Sequence, residues 1–246
     1  MGTLYVIATP IGNLEDLSFR AVRVLGEVGA VACEDTRVTP RLFERYDIPR
    51  PRTWFSCHEH NEEHAAKRIL GLLDAGVAVA LCSEGGCPGI SDPGYRVISA
   101  SIEAGHEIVA VPGPSAVHVA LLVSGLPTSS YTFKGFPPRK PGARARFLEM
   151  ERDSPHTLVF FESPFRLAAL LGAAHEILGD RCAAVCVELT KKFEQARRGY
   201  LSDLQKWYDT HEVKGETTLV VAGRHPKFER AVGAAGFQGG MRPAEE

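Results

Sequence analysis

The sequence predicts an α/β protein whose first half is a parallel, three-layer domain. Short apolar runs, too short for helices, alternate with amphipathic segments through residues 3–124. Such alternation builds a parallel sheet covered by helices on both faces. Two of the runs, Val77 to Leu81 and Ile108 to Val111, lead straight into loops rich in glycine and proline. In an open parallel sheet, ligands bind where the strands end.

The predicted strands of this half are Thr3–Ala8, Ala30–Cys33, Thr53–Cys57, Val77–Cys82 and Glu107–Val111. Helical patterns fall between them, at 17–28, 40–46, 62–75, 94–104 and 115–124. The pattern at 62–75 is the clearest, with Ala65, Ile69, Leu72 and Leu73 on one stripe and charge opposite. Asn61 before it is a natural helix cap. At Gly125–Ser130 the periodicity breaks, as at an interdomain hinge. Then come an extended run at 131–136, a helix near 143–151, a strand at 157–161 and a helix at 165–178. Strands at 183–189 and 217–222 follow, with a helix near 202–208 between them. The expected organisation is an N-terminal domain over 1–125, a C-terminal domain over 126–224 and a flexible tail over 225–246. No internal repeat is present.

Composition narrows the class. The chain has 246 residues, 44% hydrophobic and 24% charged, as in an ordinary globular protein. No apolar run approaches the ~20 residues of a membrane span. The N-terminus enters a strand without the charged start of a signal peptide, which implies a cytoplasmic protein. Six cysteines, at 33, 57, 82, 87, 182 and 186, form no CxxC pair and read as small core residues in a reducing compartment. The net charge of −2 gives no whole-protein attraction for nucleic acid. Locally, however, Lys134, Arg139, Lys140, Arg144 and Arg146 fall together without an acid, interleaved with Phe133, Phe136 and Phe147. That stretch is either a solvated loop leading into a helix or an arm that contacts RNA phosphates.

The loop Ser83-Glu84-Gly85-Gly86-Cys87-Pro88-Gly89-Ile90-Ser91-Asp92-Pro93-Gly94 cannot be helical, and its turns bring bare backbone close to a ligand. Pro112-Gly113-Pro114-Ser115-Ala116 repeats the device after the next strand. Thr9-Pro10-Ile11-Gly12-Asn13 lies at the same sheet end. Glu34-Asp35-Thr36-Arg37 ends the second strand and is either a helix cap with ion pairs or a catalytic cluster. His58, His60 and His64 invite a zinc reading, but nothing completes the ligand shell, so no metal is expected. In the second half, Glu162, Glu188-Leu189-Thr190-Lys191 and Lys214-Gly215-Glu216 each place an acid at a strand boundary, as in a polar cleft wall.

In order and spacing these segments resemble the tetrapyrrole-methylase superfamily of S-adenosylmethionine-dependent methyltransferases, along residues 5–223. The residues at 34–37, 58–62 and 188–191 are most similar to the branch of 16S ribosomal RNA cytidine 2′-O-ribose methyltransferases. The resemblance implies two α/β domains, a mainly parallel sheet in the first and a mixed sheet in the second, with the active cleft between them. S-adenosylmethionine and no metal is implied there, on Pro10, Ile11, Glu84, Gly86, Cys87, Asp92, Ser115, Ala116, Glu162, Leu189 and Gly215. It further implies a homodimer acting on 16S ribosomal RNA or the 30S subunit. One departure stands out: the family's usual SDAGTP is Ser83-Glu84-Gly85-Gly86-Cys87-Pro88 here, trading a threonine hydroxyl for a weakly hydrogen-bonding thiol.

Methyl transfer to a ribose hydroxyl needs aligned reactants and is helped by a group that accepts the hydroxyl proton. The candidates are Glu34, Asp35, Glu188 and Lys191, with Arg37 holding a phosphate or carboxylate. A small-molecule methylase acting on a tetrapyrrole is the competing reading, and the basic arm favours RNA over it. A non-catalytic nucleotide-binding module would have no use for the charged strand-end clusters. A dehydrogenase would carry GxGxxG after its first strand, which is missing.

Overall fold

Five strands of the first half, β1 (Thr3–Ile7), β2 (Ala30–Cys33), β3 (Thr53–Ser56), β4 (Val79–Cys82) and β5 (Glu107–Val111), form one parallel sheet in the order β3-β2-β4-β1-β5. The computed structural model describes residues 2–230. Because every pairing is parallel, all five strands finish at the same end of the sheet. Helices α1 (Phe19–Glu27) and α2 (Pro40–Arg45) pack Val24, Leu25, Leu42 and Phe43 against Ile7, Val31, Cys33 and Cys82. Helices α3 (Glu62–Asp74) and α4 (Tyr95–Glu103) cover the other face, where Ile69, Leu73 and Val97 meet Leu4, Ala32, Phe55 and Leu81. Strands buried on both faces are apolar at every position, as β2 and β4 are. The Ser18 hydroxyl caps α1 by accepting from the Ala21 N–H at 3.1 Å.

The second unit has its own five-stranded sheet of β6 (Tyr131–Phe133), β7 (Thr157–Glu162), β8 (Cys182–Val187), β9 (Gln195–Tyr200) and β10 (Thr217–Val221). The order is β6-β7-β10-β8-β9, with β6 parallel to β7 and every other pair antiparallel. Helices α6 (Pro141–Glu149), α7 (Leu167–Leu178) and α8 (Leu201–Tyr208) bury Leu148, Leu170, Leu171 and Leu204 against Leu158, Phe160, Val185 and Leu219. Helix α5 (Ala116–Ser124) packs against β8 and β10.

The chain accordingly divides after Ser115, and α5 belongs to the second unit although the hinge-like residues come only at 125–130. Two contacts fix it there: the Cys186 thiol lies 3.9 Å from the Ala120 carbonyl, and Arg198 Nε donates to the Val123 carbonyl at 2.9 Å. Strand β9 has no counterpart among the expected elements. It is an edge strand of polar sequence, QARRGY, without an apolar alternation to reveal it. Residues 225–230, expected to open a loose tail, are tied down instead. Arg230 pairs with Asp180 and Asp203, and the backbone of Glu229 forms an antiparallel β-bridge with that of Arg181. The rest of the expected tail lies outside the described residues. Five of the six cysteines are buried and the sixth, Cys87, is half-buried, all as free thiols.

Candidate active site

The loops that leave the first sheet are fastened to one another. Thr9 and Gly86 exchange backbone hydrogen bonds at 2.8 and 2.9 Å, which joins the loop after β1 to the loop after β4. The Thr9 hydroxyl donates to the Ser83 carbonyl at 3.1 Å, and the Ser83 hydroxyl donates to the Gly86 carbonyl at 3.1 Å. The loop after β5 comes in beside them. A Cβ on Gly113 would lie 3.0 Å from the Ala8 Cβ and carbonyl oxygen, so only glycine fits that approach without displacement. The Cys87 thiol sits 4.0 Å from the Pro114 carbonyl, and burial raises its pKa above that of a free thiol. Pro10, Ile11, Glu84, Gly86, Cys87 and Ser115 therefore share one end of one sheet, with Asp92 half-buried further along the second loop.

The charged cluster after β2 divides into two parts. Glu34 belongs to the loop system: its Oε2 accepts from the Glu84 N–H at 3.2 Å. Asp35 and Arg37 belong to each other. The guanidinium reaches both carboxylate oxygens at 2.6–3.1 Å, and Asp35 also accepts from the Arg37 N–H at 2.7 Å. These bonds, the Arg37 side chain first, hold the Asp35 pKa down to about 2. Asp35 thus ties off the turn into α2, and Arg37 carries its charge at the surface.

The sequence motif at 58–62 has a role that its composition concealed. Asn61 occupies the N-cap position of α3 as expected, but without a side-chain capping bond. Its side chain faces back, accepting from the His58 N–H and donating to Ser56. Glu62 Oε1 accepts from the N–H groups of Gly94 and Arg96, both at 2.9 Å, and so caps α4 across the sheet end. A capping carboxylate thirty-odd residues from its helix leaves no local signature. Among the described residues, no group of three or more His, Cys, Asp or Glu could hold a metal ion.

In the second unit, three strand ends carry the remaining candidates. Glu162 is buried at the end of β7, where it pairs with Arg166 and accepts from the Ser163 N–H at 2.7 Å. Glu188 follows β8 in left-handed backbone, φ +50°, and so does Thr190 at +64°. Glu188 Oε1 accepts from the Lys191 ammonium and the Glu216 N–H, both at 2.9 Å, while Lys191 also reaches Glu216 Oε2 at 3.0 Å. Burial works against charge on both residues, but these bonds outweigh it: the Glu188 pKa lies below the ordinary value and that of Lys191 above. Lys191 is therefore held as an ammonium between two carboxylates. Gly215 sits at φ +90° against the Glu188 carboxyl, where any Cβ would collide, and Leu189 is buried beside this lock. Ala116 opens α5.

Only part of the basic stretch is free. Lys134 pairs with Glu151 at 2.7 Å, with both side chains largely covered, and its ammonium lies 5.0 Å from the Phe147 ring centre. Arg144 is buried in α6. Arg139, Lys140 and Arg146 are exposed. The arm expected to carry five cations thus presents three, because α6 turns Arg144 inward and Glu151 takes Lys134.

Residues 3–205 match the family described as Tetrapyrrole (Corrin/Porphyrin) Methylases. Proteins named Ribosomal RNA small subunit methyltransferase I are similar over nearly the whole chain. That of Halalkalibacterium halodurans is 44% identical over 93% of this chain and 78% of its own length. That of Mesorhizobium japonicum is 46% identical over 92% and 77%, and that of Pseudomonas aeruginosa 42% over 95% and 83%. Among solved structures, a cobalt precorrin-4 methyltransferase superposes with TM-score 0.66 at 16% identity, covering 89% of this chain and 94% of that one. A Thermus thermophilus uroporphyrin-III C-methyltransferase, complexed with S-adenyl homocysteine, gives 0.62 at 18%, covering 90% and 97%. At such identities the likeness is one of fold. The chain belongs to the tetrapyrrole methylase family, in the branch of the ribosomal RNA small subunit methyltransferases I.

Proposed function

We propose that this protein transfers a methyl group from S-adenosylmethionine to the ribose 2′-hydroxyl of a cytidine in 16S ribosomal RNA. The carrying observation is the 41–46% identity, over at least 90% of the chain, to relatives named for methylation of small-subunit ribosomal RNA. The residues present suit such a donor. Interlocked loops gather backbone N–H and C=O groups at one sheet end, and the Glu34 carboxylate beside them suits a cation. Pro10, Ile11, Glu84, Gly86, Cys87, Asp92 and Ser115 of the first unit are the proposed donor contacts, with Ala116, Glu162, Leu189 and Gly215 of the second.

The donor supplies an electrophilic methyl on a sulfonium that is already a good leaving group, so the protein's work is alignment and the hydroxyl proton. Glu34 is the carboxylate proposed to accept that proton. Asp35 is fully engaged by Arg37, and Glu188 is held by Lys191 and a backbone N–H. Arg139, Lys140 and Arg146 would hold phosphates. The tetrapyrrole alternative draws on the name of the broad family and on fold neighbours at 16–22% identity, whereas the relatives at 41–46% identity are named for ribosomal RNA.

The same reading gives a cytoplasmic homodimer acting on the assembled 30S subunit. No helix among the described residues is long and apolar enough to cross a membrane. The functional test is mass spectrometry of ribose methylation in 16S RNA from cells with and without the gene. Loss of a cytidine 2′-O-methyl group, restored by the wild-type gene, is expected; an unchanged pattern would overturn the reading.

A further inference from the structure

Three exposed phenylalanines sit at one end of the second sheet, and the topology explains why they share it. Strands β6 and β7 are parallel, with Phe133 level with Val159, and the chain after β6 stays beside β7, where the Phe161 N–H donates to the Gly135 carbonyl at 2.9 Å. Val187, the last residue of β8, and Thr217, the first of β10, are paired there, and Gln195 opens β9 opposite Val187. Phe136 therefore follows β6, Phe165 follows β7 and Phe193 precedes β9, all at the same end of one sheet. They are 55%, 94% and 70% exposed. Such exposure forfeits much of the burial that a phenylalanine normally gains, so packing does not account for them. Phe136 is the best supported, its ring 5.6 Å from that of Phe161.

The charge at this end has one free sign. Glu162, Glu188, Glu194 and Glu216 are each held by a donor of the protein itself: Arg166, Lys191, the Thr190 N–H and Lys191 again. Arg139, Lys140, Lys192 and Lys214 have no acid partner among the described residues. The Lys192 ammonium lies 5.5 Å from the centre of the Phe193 ring.

We infer that this sheet end is a stacking platform for unpaired RNA, with Phe136, Phe165 and Phe193 taking bases while the free cations take the phosphates between them. Aromatic faces interleaved with unpaired cations are what single strands bind, since every unstacked base offers a π-face. A duplex keeps its bases stacked on one another and gives the rings nothing to cover. The inference deepens the proposed function. It rests on RNA being the substrate and names the class as a segment whose bases are splayed out.

The test is fluorescence anisotropy with a short labelled oligopyrimidine RNA, alone and annealed to its complement, against the wild-type chain, Phe165→Ala and Phe193→Ala. The wild type is expected to prefer the single strand. Each substitution should weaken that binding by about 5- to 100-fold while leaving the slope of affinity against salt unchanged. These side chains are exposed, so the variants should fold as the wild type does. Equal binding of strand and duplex, or wild-type affinity in both variants, would overturn the inference. Methyl incorporation into 30S subunits, measured on the same preparations, separates the two claims. Activity with an insensitive platform sinks only the platform, and a working platform without methylation sinks only the functional reading.

Discussion

Glu62 holds Gly94: the carboxylate on the first residue of α3 accepts the Gly94 N–H at 2.9 Å and fixes the end of the loop proposed to bind the donor. The same oxygen takes the Arg96 N–H at 2.9 Å, so two orphan donors of α4 depend on one distant side chain. Glu62→Ala should therefore cost about 1 kcal/mol, as the loss of a helix cap does. A chain of this size would lose roughly 2–4 °C in Tm. Calorimetry of S-adenosylmethionine binding should also show weakened affinity, with Glu62→Gln intermediate on both counts. Unchanged affinity would mean that the loop holds itself.

Asp35 is predicted to be structural. Asp35→Asn should leave single-turnover methylation unchanged, whereas a drop of about 10²–10⁴-fold would make it an acid–base group. Its pH signature has a definite sign. The folded carboxyl titrates at about 2, below the ordinary value, so its contribution to stability is present above about pH 4. That contribution is lost as pH falls from about 4 to about 2. Urea unfolding across that range should show wild type and Asp35→Asn converging at the acid end.

Glu34→Gln separates charge from shape. The amide oxygen can still accept the Glu84 N–H, so donor affinity should hold while the transfer rate falls by about 10²–10⁴-fold. A rate within error of wild type would leave alignment alone as the source of catalysis.

Much of this site was legible in sequence, and the reasons for the rest are specific. Buried strands such as β2 and β4 announce themselves by unbroken apolar runs, and glycine-rich loops at their ends follow from the turns they require. Helix α5 reads equally well with either unit because its sequence, AVHVALLVS, is apolar almost all round, so periodicity names no partner. The fate of Lys134 depended on Glu151, seventeen residues on, and Glu62's on Gly94. Such pairings are tertiary and leave no mark on local pattern. Asp35 with Arg37 was visible as an alternative, and the ion pair between them favours the structural reading.

The lock around Gly215 should be intolerant. Gly215→Ala places a Cβ against the Glu188 carboxyl at φ +90°, and should destabilise by more than about 1 kcal/mol in chemical unfolding. Lys191, whose folded pKa is raised, contributes stability that is complete below its unfolded pKa and fades as pH rises through the folded one. Lys191→Met should therefore differ from wild type at neutral pH and approach it at strongly alkaline pH.

The three exposed arm cations should act additively on RNA. Alanine at Arg139, Lys140 and Arg146 together should reduce the slope of log affinity against log salt by about 2–3 and leave donor binding intact. Lys134→Ala should instead destabilise the fold, on the order of 3 kcal/mol, since it strands Glu151. Thermal unfolding distinguishes the two effects.

The central claim is most directly tested by giving the purified protein labelled S-adenosylmethionine and 30S subunits from cells lacking its gene, then locating the label by mass spectrometry of nuclease fragments. The account predicts a methyl group on the ribose 2′-oxygen of a cytidine in 16S RNA, formed without added metal and greatly slowed by Glu34→Gln. Label on a base, or transfer to a tetrapyrrole with none to ribosomal RNA, would contradict it.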